Sequence, residues 1–159
     1  MKIRIIAVGK IKDDYLKIGI AEYLKRIRPY CNIEIVEVAD SPVQDQPSKA
    51  EIEKVKNEEG KRILRNLKNG DFAVNLDLNC KDFTSEDFAK FIDKKLAESG
   101  SFLTFVIGGS YGLSDEVKQR ANYSISLSKM TFLHQMTRLI LLEQIYRSFK
   151  ILNNETYHK

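Results

Sequence analysis

Five short apolar runs, each followed by a segment of helical spacing, constrain this chain more than any other feature. The first, Lys2-Ile-Arg-Ile-Ile-Ala-Val8, is β-branched and closes on Gly9, the signature of a strand. Apolar residues between Tyr15 and Ile27 then recur at close to helical spacing over residues 13–28, and Pro29 ends that helix. Residues 32–38 alternate apolar and polar, which suits a strand with one wet face near a sheet edge. Pro47 and Ser48 open a charged helix to about Leu67, with a narrow apolar stripe of Ile52, Val55, Ile63, Leu64 and Leu67. Its charged residues, Glu59 among them, read as a solvated face, and Gly60 reads as a weak point. After the Asn69-Gly70-Asp71 turn come a strand over 72–78 and a helix capped by Thr84 or Ser85 running to about Ala97. The run Phe102–Ile107 is almost continuously apolar and belongs in the middle of a sheet. A glycine turn, a short helix from Ser114 to about Arg120, a strand over 123–127 and a last helix over about 133–152 complete the chain.

This rhythm predicts an α/β fold with a mainly parallel five-to-six-stranded sheet and helices on both faces. At 159 residues, one domain spanning 1–159 is expected. With 43% hydrophobic residues and no low-complexity tract, the chain can build a core and is not disordered by composition. The apolar stretch Leu139–Leu142 is far short of the roughly 20 residues of a membrane span, so no membrane partner is expected. Met1-Lys2-Ile3 leads directly into the first strand, so the expectation is no signal peptide and a cytoplasmic location. Cys31 and Cys80 stand alone, without a CxxC or a neighbouring His, and predict neither a disulfide framework nor a metal site.

The net charge of +4 permits a polyanionic partner without requiring one. Residues 1–30 hold eight basic and three acidic residues, a local +5. That segment reads either as a solvated helix face or as a phosphate-contacting surface.

Ligands of open parallel sheets bind beyond the carboxyl ends of the strands. Three features fall there: Leu76–Leu78, the turn Gly108-Gly-Ser-Tyr-Gly112, and Leu127-Ser-Lys-Met-Thr-Phe132. The turn is neither a dinucleotide fingerprint, which would follow the first strand, nor a P-loop, which would need glycine where Arg4 stands. Its glycines fit close approach of a ligand to the main chain, or simply a tight turn. In Leu127–Phe132, backbone amides and the Ser128 and Thr131 hydroxyls suit a heteroaromatic edge, with Met130 and Phe132 as apolar walls; a plain loop is the alternative.

The last helix has a wide apolar arc, including Met136, Leu139, Ile140, Ile145, Tyr146 and Phe149. Such an arc fits a core on one side and a second chain on the other, or complete burial in the monomer. Arg138, in an apolar turn, needs an acidic partner or a phosphate. Glu143 and Arg147 form an i,i+4 pair. His134 fits a capping or core role, or a base. The tail ending in Tyr157-His158-Lys159 either frays or docks where base stacking and phosphate contact are possible.

Taken together, Phe105-Val-Ile-Gly-Gly-Ser-Tyr-Gly-Leu-Ser114, Leu127–Phe132, His134-Gln135, Arg138, Leu142-Glu-Gln-Ile-Tyr-Arg147 and Tyr157-His158 resemble the RlmH family, small SPOUT-class methyltransferases of bacterial 23S rRNA. Ile6–Lys10 and the overall length match too, so the resemblance spans the chain. It implies S-adenosyl-L-methionine as methyl donor, N3 of a pseudouridine in 23S rRNA of the assembled ribosome as acceptor, a homodimer, and a C-terminal trefoil knot. The implied donor positions are Leu76, Gly108, Leu127, Ser128, Lys129, Met130, Thr131 and Phe132, at the three strand ends already singled out. For catalysis, Arg138 and His158 or Lys159 are assigned to RNA contact or anion stabilisation, Tyr157 to stacking near the base, and His134 or His158 to proton acceptance. Leu133 stands where the family usually has Pro, and Glu155-Thr156 where His-Pro is frequent. A non-catalytic RNA- or ribosome-binding module is the rival reading.

Overall fold

A computed structural model describes residues 1–159. In chain order the elements are β1 (Lys2–Val8), α1 (Asp14–Ile27), β2 (Asn32–Val38), α2 (Lys49–Asn66), β3 (Phe72–Leu76), α3 (Ser85–Glu98), β4 (Phe102–Ile107), α4 (Asp115–Arg120), β5 (Tyr123–Ile125) and α5 (His134–Leu152). The five strands form one all-parallel sheet in the order β2-β1-β4-β3-β5. The apolar β4 is central and the alternating β2 lies at an edge, as their patterns predict.

Period-two alternation divides the core between the two faces. Ile3, Ile5, Ala7, Leu103, Phe105 and Ile107 point toward α1, α3 and α5, whereas Ile6, Val8 and Val106 point toward α2 and α4. Each fully buried Ile, Leu or Phe contributes about 1.5–3 kcal/mol of transfer free energy. Helix starts are fixed locally: Ser48 and Glu51 form a reciprocal capping box, and Thr84 and Ser114 cap α3 and α4.

Two strands stop earlier than their composition suggests. β3 ends at Leu76: the Asp77 N–H still completes the ladder on the Ile125 carbonyl, and its carboxylate then accepts from Asn79 N and turns the chain. β5 ends at Ile125, and Ser126 turns the chain by donating from its hydroxyl to the Ser128 carbonyl at 2.7 Å. Both breaks lie at the carboxyl edge of the sheet.

The reading of α2 needs correction at two positions. Glu59 is buried, 4% exposed, rather than solvated. Gly60 is a contact point rather than a weakness: a Cβ there would lie 2.3 Å from Ser114 Oγ, so glycine lets α2 close on the start of α4. α5 packs between α1 and α3, with Leu141, Leu142, Ile145 and Phe149 buried and Leu139, Ile140 and Tyr146 half-buried. Ile18 on the neighbouring α1 is 71% exposed. Cys31 lies in the larger core cluster, where burial pushes its thiol up to about 11. No helix is long and apolar enough to cross a membrane.

Candidate active site

The carboxyl ends of β3, β4 and β5 enclose a cavity of about 540 Å³. The three features picked out in the sequence meet there: Leu76 after β3, the glycine turn after β4, and the loop after β5. Adjacency of these strands in the sheet, not in the chain, creates the site.

Packing explains the glycines of the turn. A Cβ on Gly108 would lie 2.8 Å from the backbone carbon of Gly112, and one on Gly109 would lie 2.9 Å from both Glu59 carboxylate oxygens. Gly112 itself has φ +86°, a conformation that side chains disfavour. Its N–H donates to the Gly109 carbonyl at 3.1 Å, closing the turn. The turn is tight, and it also presents bare main chain to the cavity.

The loop after β5 contributes Leu127, Ser128, Thr131 and Phe132 to the wall. Ser128 Oγ accepts from Met130 N at 3.0 Å and holds the loop's bend. Two expected positions depart from this arrangement. The Lys129 and Met130 side chains do not line the cavity, and Met130 is 73% exposed, because the bend turns both outward. Leu76, Ile107, Leu127 and Phe132 supply the apolar wall instead. Sequence reading missed Lys56 and Lys118, which line the same space, with Lys118 Nζ 3.2 Å from Oδ2 of Asp77, inside the expected Leu76–Leu78 segment. No local pattern marks them, since α2 and α4 reach the cavity only through tertiary packing.

His134 opens α5 and lines the cavity, with Nδ1 3.5 Å from Ser110 Oγ. Burial, reinforced by the Arg138 charge, holds its pKa below the usual value, with Asp40 opposing weakly. The imidazole is therefore neutral at pH 7 and free to accept a proton.

Arg138 finds the acidic partner that its position demands, rather than a phosphate. Its side chain is 2% exposed, with Nη1 2.6 Å from Glu37 Oε2 and Nη2 donating to the Gly9 carbonyl at 3.0 Å. Glu37 also accepts from Ile11 N at 3.3 Å. The expected contact of Arg138 with RNA or a developing anion gives way to a clamp joining α5 to the ends of β1 and β2, because the guanidinium is buried and engaged.

The tail docks but does not reach this chain's own cavity. The Tyr157 hydroxyl donates to Glu143 Oε1 at 3.0 Å and lies 3.2 Å from the Tyr23 hydroxyl. Its ring meets Tyr146 edge-on at 4.9 Å, with the Arg147 guanidinium 4.7 Å from its centre. Burial and these acceptors raise the Tyr157 pKa, so the phenol stays protonated. His158 Nε2 lies 2.8 Å from Glu86 Oε1, while Arg147 Nη1 lies 3.2 Å from its Nδ1. That pairing assigns the ring proton to Nε2. Glu155 accepts from the Tyr30 hydroxyl at 2.7 Å and pairs with Lys150, so it fastens the tail to α5 and to the turn after α1. Lys159 is exposed.

The basic N-terminal segment divides. Lys2, Arg4, Lys17 and Arg26 pair with Glu34, Asp71, Asp14 and Glu22. Lys10 and Lys12 are exposed, make no ion pair, and follow β1 at the same sheet edge as the cavity.

Comparison with known proteins adds three findings. Residues 1–158 match a family described as "Predicted SPOUT methyltransferase". Proteins named ribosomal RNA large subunit methyltransferase H are 54% identical in Carboxydothermus hydrogenoformans and 50% identical in Halothermothrix orenii, each over 100% of both chains. A solved structure of a probable methylase family protein from Haemophilus influenzae shares the fold, with a TM-score of 0.51 at 15% identity over 99% of this chain and 70% of that one.

Proposed function

The chain belongs to the SPOUT methyltransferase family, among relatives named ribosomal RNA large subunit methyltransferase H, and from that membership we propose that it methylates large-subunit ribosomal RNA. The donor in this reading is S-adenosylmethionine, and the acceptor is N3 of a pseudouridine in 23S rRNA of the assembled ribosome. The observation that carries the reading is the convergence of the glycine turn, Leu76 and the Leu127–Phe132 loop on one cavity.

The residues present fit such a donor. About 540 Å³ lies within the usual range for small-molecule sites. Leu76, Leu127 and Phe132 would flank an adenine, loop amides would meet its polar edge, and Gly108 lets the main chain come close. When bound, the donor supplies a methyl group already activated on a sulfonium. The chain's task is to orient the attack and to manage one proton. Neutral His134 would accept the N3 proton, leaving the ring nitrogen to take up the methyl group that the bound donor would supply.

Tyr157 and His158 lie away from their own chain's cavity, so their part in the reaction requires a second copy. In this reading a homodimer brings one tail to the other cavity, and half-buried Leu139 and Ile140 with exposed Ile18 offer an apolar contact area. Lys10 and Lys12 would meet RNA phosphates at the rim. The knotted C-terminal path belongs to the same reading: after edge strand β5 the chain must return to place α5 between α1 and α3. A cytoplasmic location follows from the ribosomal substrate.

The decisive assay is transfer of tritiated methyl groups to 70S ribosomes, 50S subunits and free rRNA from a strain lacking the activity. Label in pseudouridine of 23S rRNA is expected from intact ribosomes. Donor binding without any transfer would favour the non-catalytic module.

A further inference from the structure

Glu59 is the one acidic side chain packed directly behind the glycine turn. A Cβ on Gly109 would lie 2.9 Å from both of its carboxylate oxygens. Gly109 lines the cavity and Glu59 does not, so the Gly109 peptide lies between the carboxylate and the cavity. The carboxylate is 4% exposed, makes no ion pair within 4.0 Å, and leaves Oε1 without any hydrogen-bond partner. Oε2 accepts only the Ser41 N–H, at 3.3 Å.

A buried carboxylate in this state is poorly stabilised. Burial raises its pKa, the Ser41 N–H opposes that, Asp40 and Glu58 add to it, and Arg62 opposes it. Within the folded chain only the Arg62 charge offsets this, and it forms no ion pair with Glu59 within 4.0 Å. A cation entering the cavity would supply it across a single glycine peptide, through a medium of low dielectric.

Resting on the reading of the cavity as a methyl-donor site, we infer that Glu59 is a positioning residue that makes the cavity prefer a sulfonium ligand over the neutral thioether left after transfer. Donor and product have nearly the same shape and differ by one methyl and one positive charge. A carboxylate behind the floor therefore acts on their ratio: it holds the donor and weakens its hold once the charge is gone. Gly109 is required for this, because any side chain there would displace the carboxylate.

The test is calorimetric titration of the wild-type protein, Glu59→Gln and Glu59→Met with S-adenosylmethionine and with S-adenosylhomocysteine. Glu59→Gln keeps the shape and removes the charge; Glu59→Met keeps the approximate volume and removes the polar atoms, and serves if the amide proves unstable. In both variants donor affinity is expected to fall on the order of five- to tenfold, with product affinity unchanged. Equal loss for the two ligands would assign Glu59 to packing alone, and no loss would assign it no role; either overturns the inference. Wild-type protein that binds neither ligand would overturn the reading of the cavity itself.

Discussion

Arg138 Nη1 lies 2.6 Å from Glu37 Oε2, joining residues 101 positions apart in the chain. The same guanidinium holds the Gly9 carbonyl, and Glu37 holds the Ile11 N–H. One ion pair thus sets the angle at which α5 leaves the cavity and the path of the chain after β1. His134, one turn before Arg138, has its pKa lowered first by burial and then by the Arg138 charge.

Replacing Arg138 with Ala leaves Glu37 without its partner and the Gly9 carbonyl without its donor. Because Glu37 retains partial access to water, the loss should be about 2–3 kcal/mol, below that of a fully buried pair. Urea denaturation measures it. Arg138→Lys should recover only part, since an ammonium cannot reproduce the forked contact.

Gly108→Ala places a Cβ 2.8 Å from the Gly112 backbone, which cannot move aside as a flexible side chain would. The turn must shift, and donor affinity should fall tenfold or more by calorimetry, with a stability loss of about 1–3 kcal/mol. Gly70→Ala is the control: Gly70 has a φ of +92°, which Gly108 does not, but a Cβ there meets nothing within 4 Å and lies outside the cavity, so donor affinity should stay unchanged.

His134 titrates below its usual value of 6.5, so folding favours its neutral form. Its contribution to stability is complete above about pH 6.5 and is lost as pH falls through the lower folded-state value. Methyl transfer should decline over the same acid window. His134→Gln should flatten both profiles there, as read by thermal melts and by initial rates across pH.

Tyr157→Ala with His158→Ala should abolish methyl transfer while leaving donor affinity within about twofold of wild type, because the donor positions Leu76, Gly108 and Leu127–Phe132 come from one chain and neither side chain lines its own chain's cavity. Calorimetry and tritium transfer, run in parallel, separate the two effects. Tyr157→Phe removes the hydrogen bond to Glu143 and should lower stability by about 0.5–1.5 kcal/mol.

Much of the fold was legible because its determinants are local. The alternation in β2, the continuous apolar run of β4, the capping residues Ser48, Thr84 and Ser114, and Gly70 at its turn all act within a few residues, and periodicity and turn chemistry report them. The cavity's location was legible for a related reason: in a parallel sheet every strand end points the same way, so Leu76, Gly108 and Leu127 had to share an edge. Strand ends were less legible, because the side chains of Asp77 and Ser126 turn the chain through bonds that depend on their neighbours.

The chain itself determined the alternation of strands and helices, the central place of β4 and the edge of the sheet that carries the site. Tertiary structure alone decided which charges are buried and what they meet. Glu59 reads as one more surface carboxylate on α2 until Gly109 is packed against it, and Arg138 reads as open to a phosphate until Glu37 arrives from β2. Met130 reads as a wall until Ser128 bends the loop outward. The physical reason is range: propensity and periodicity act over a few residues, whereas desolvation and pairing depend on groups that only the folded chain brings together.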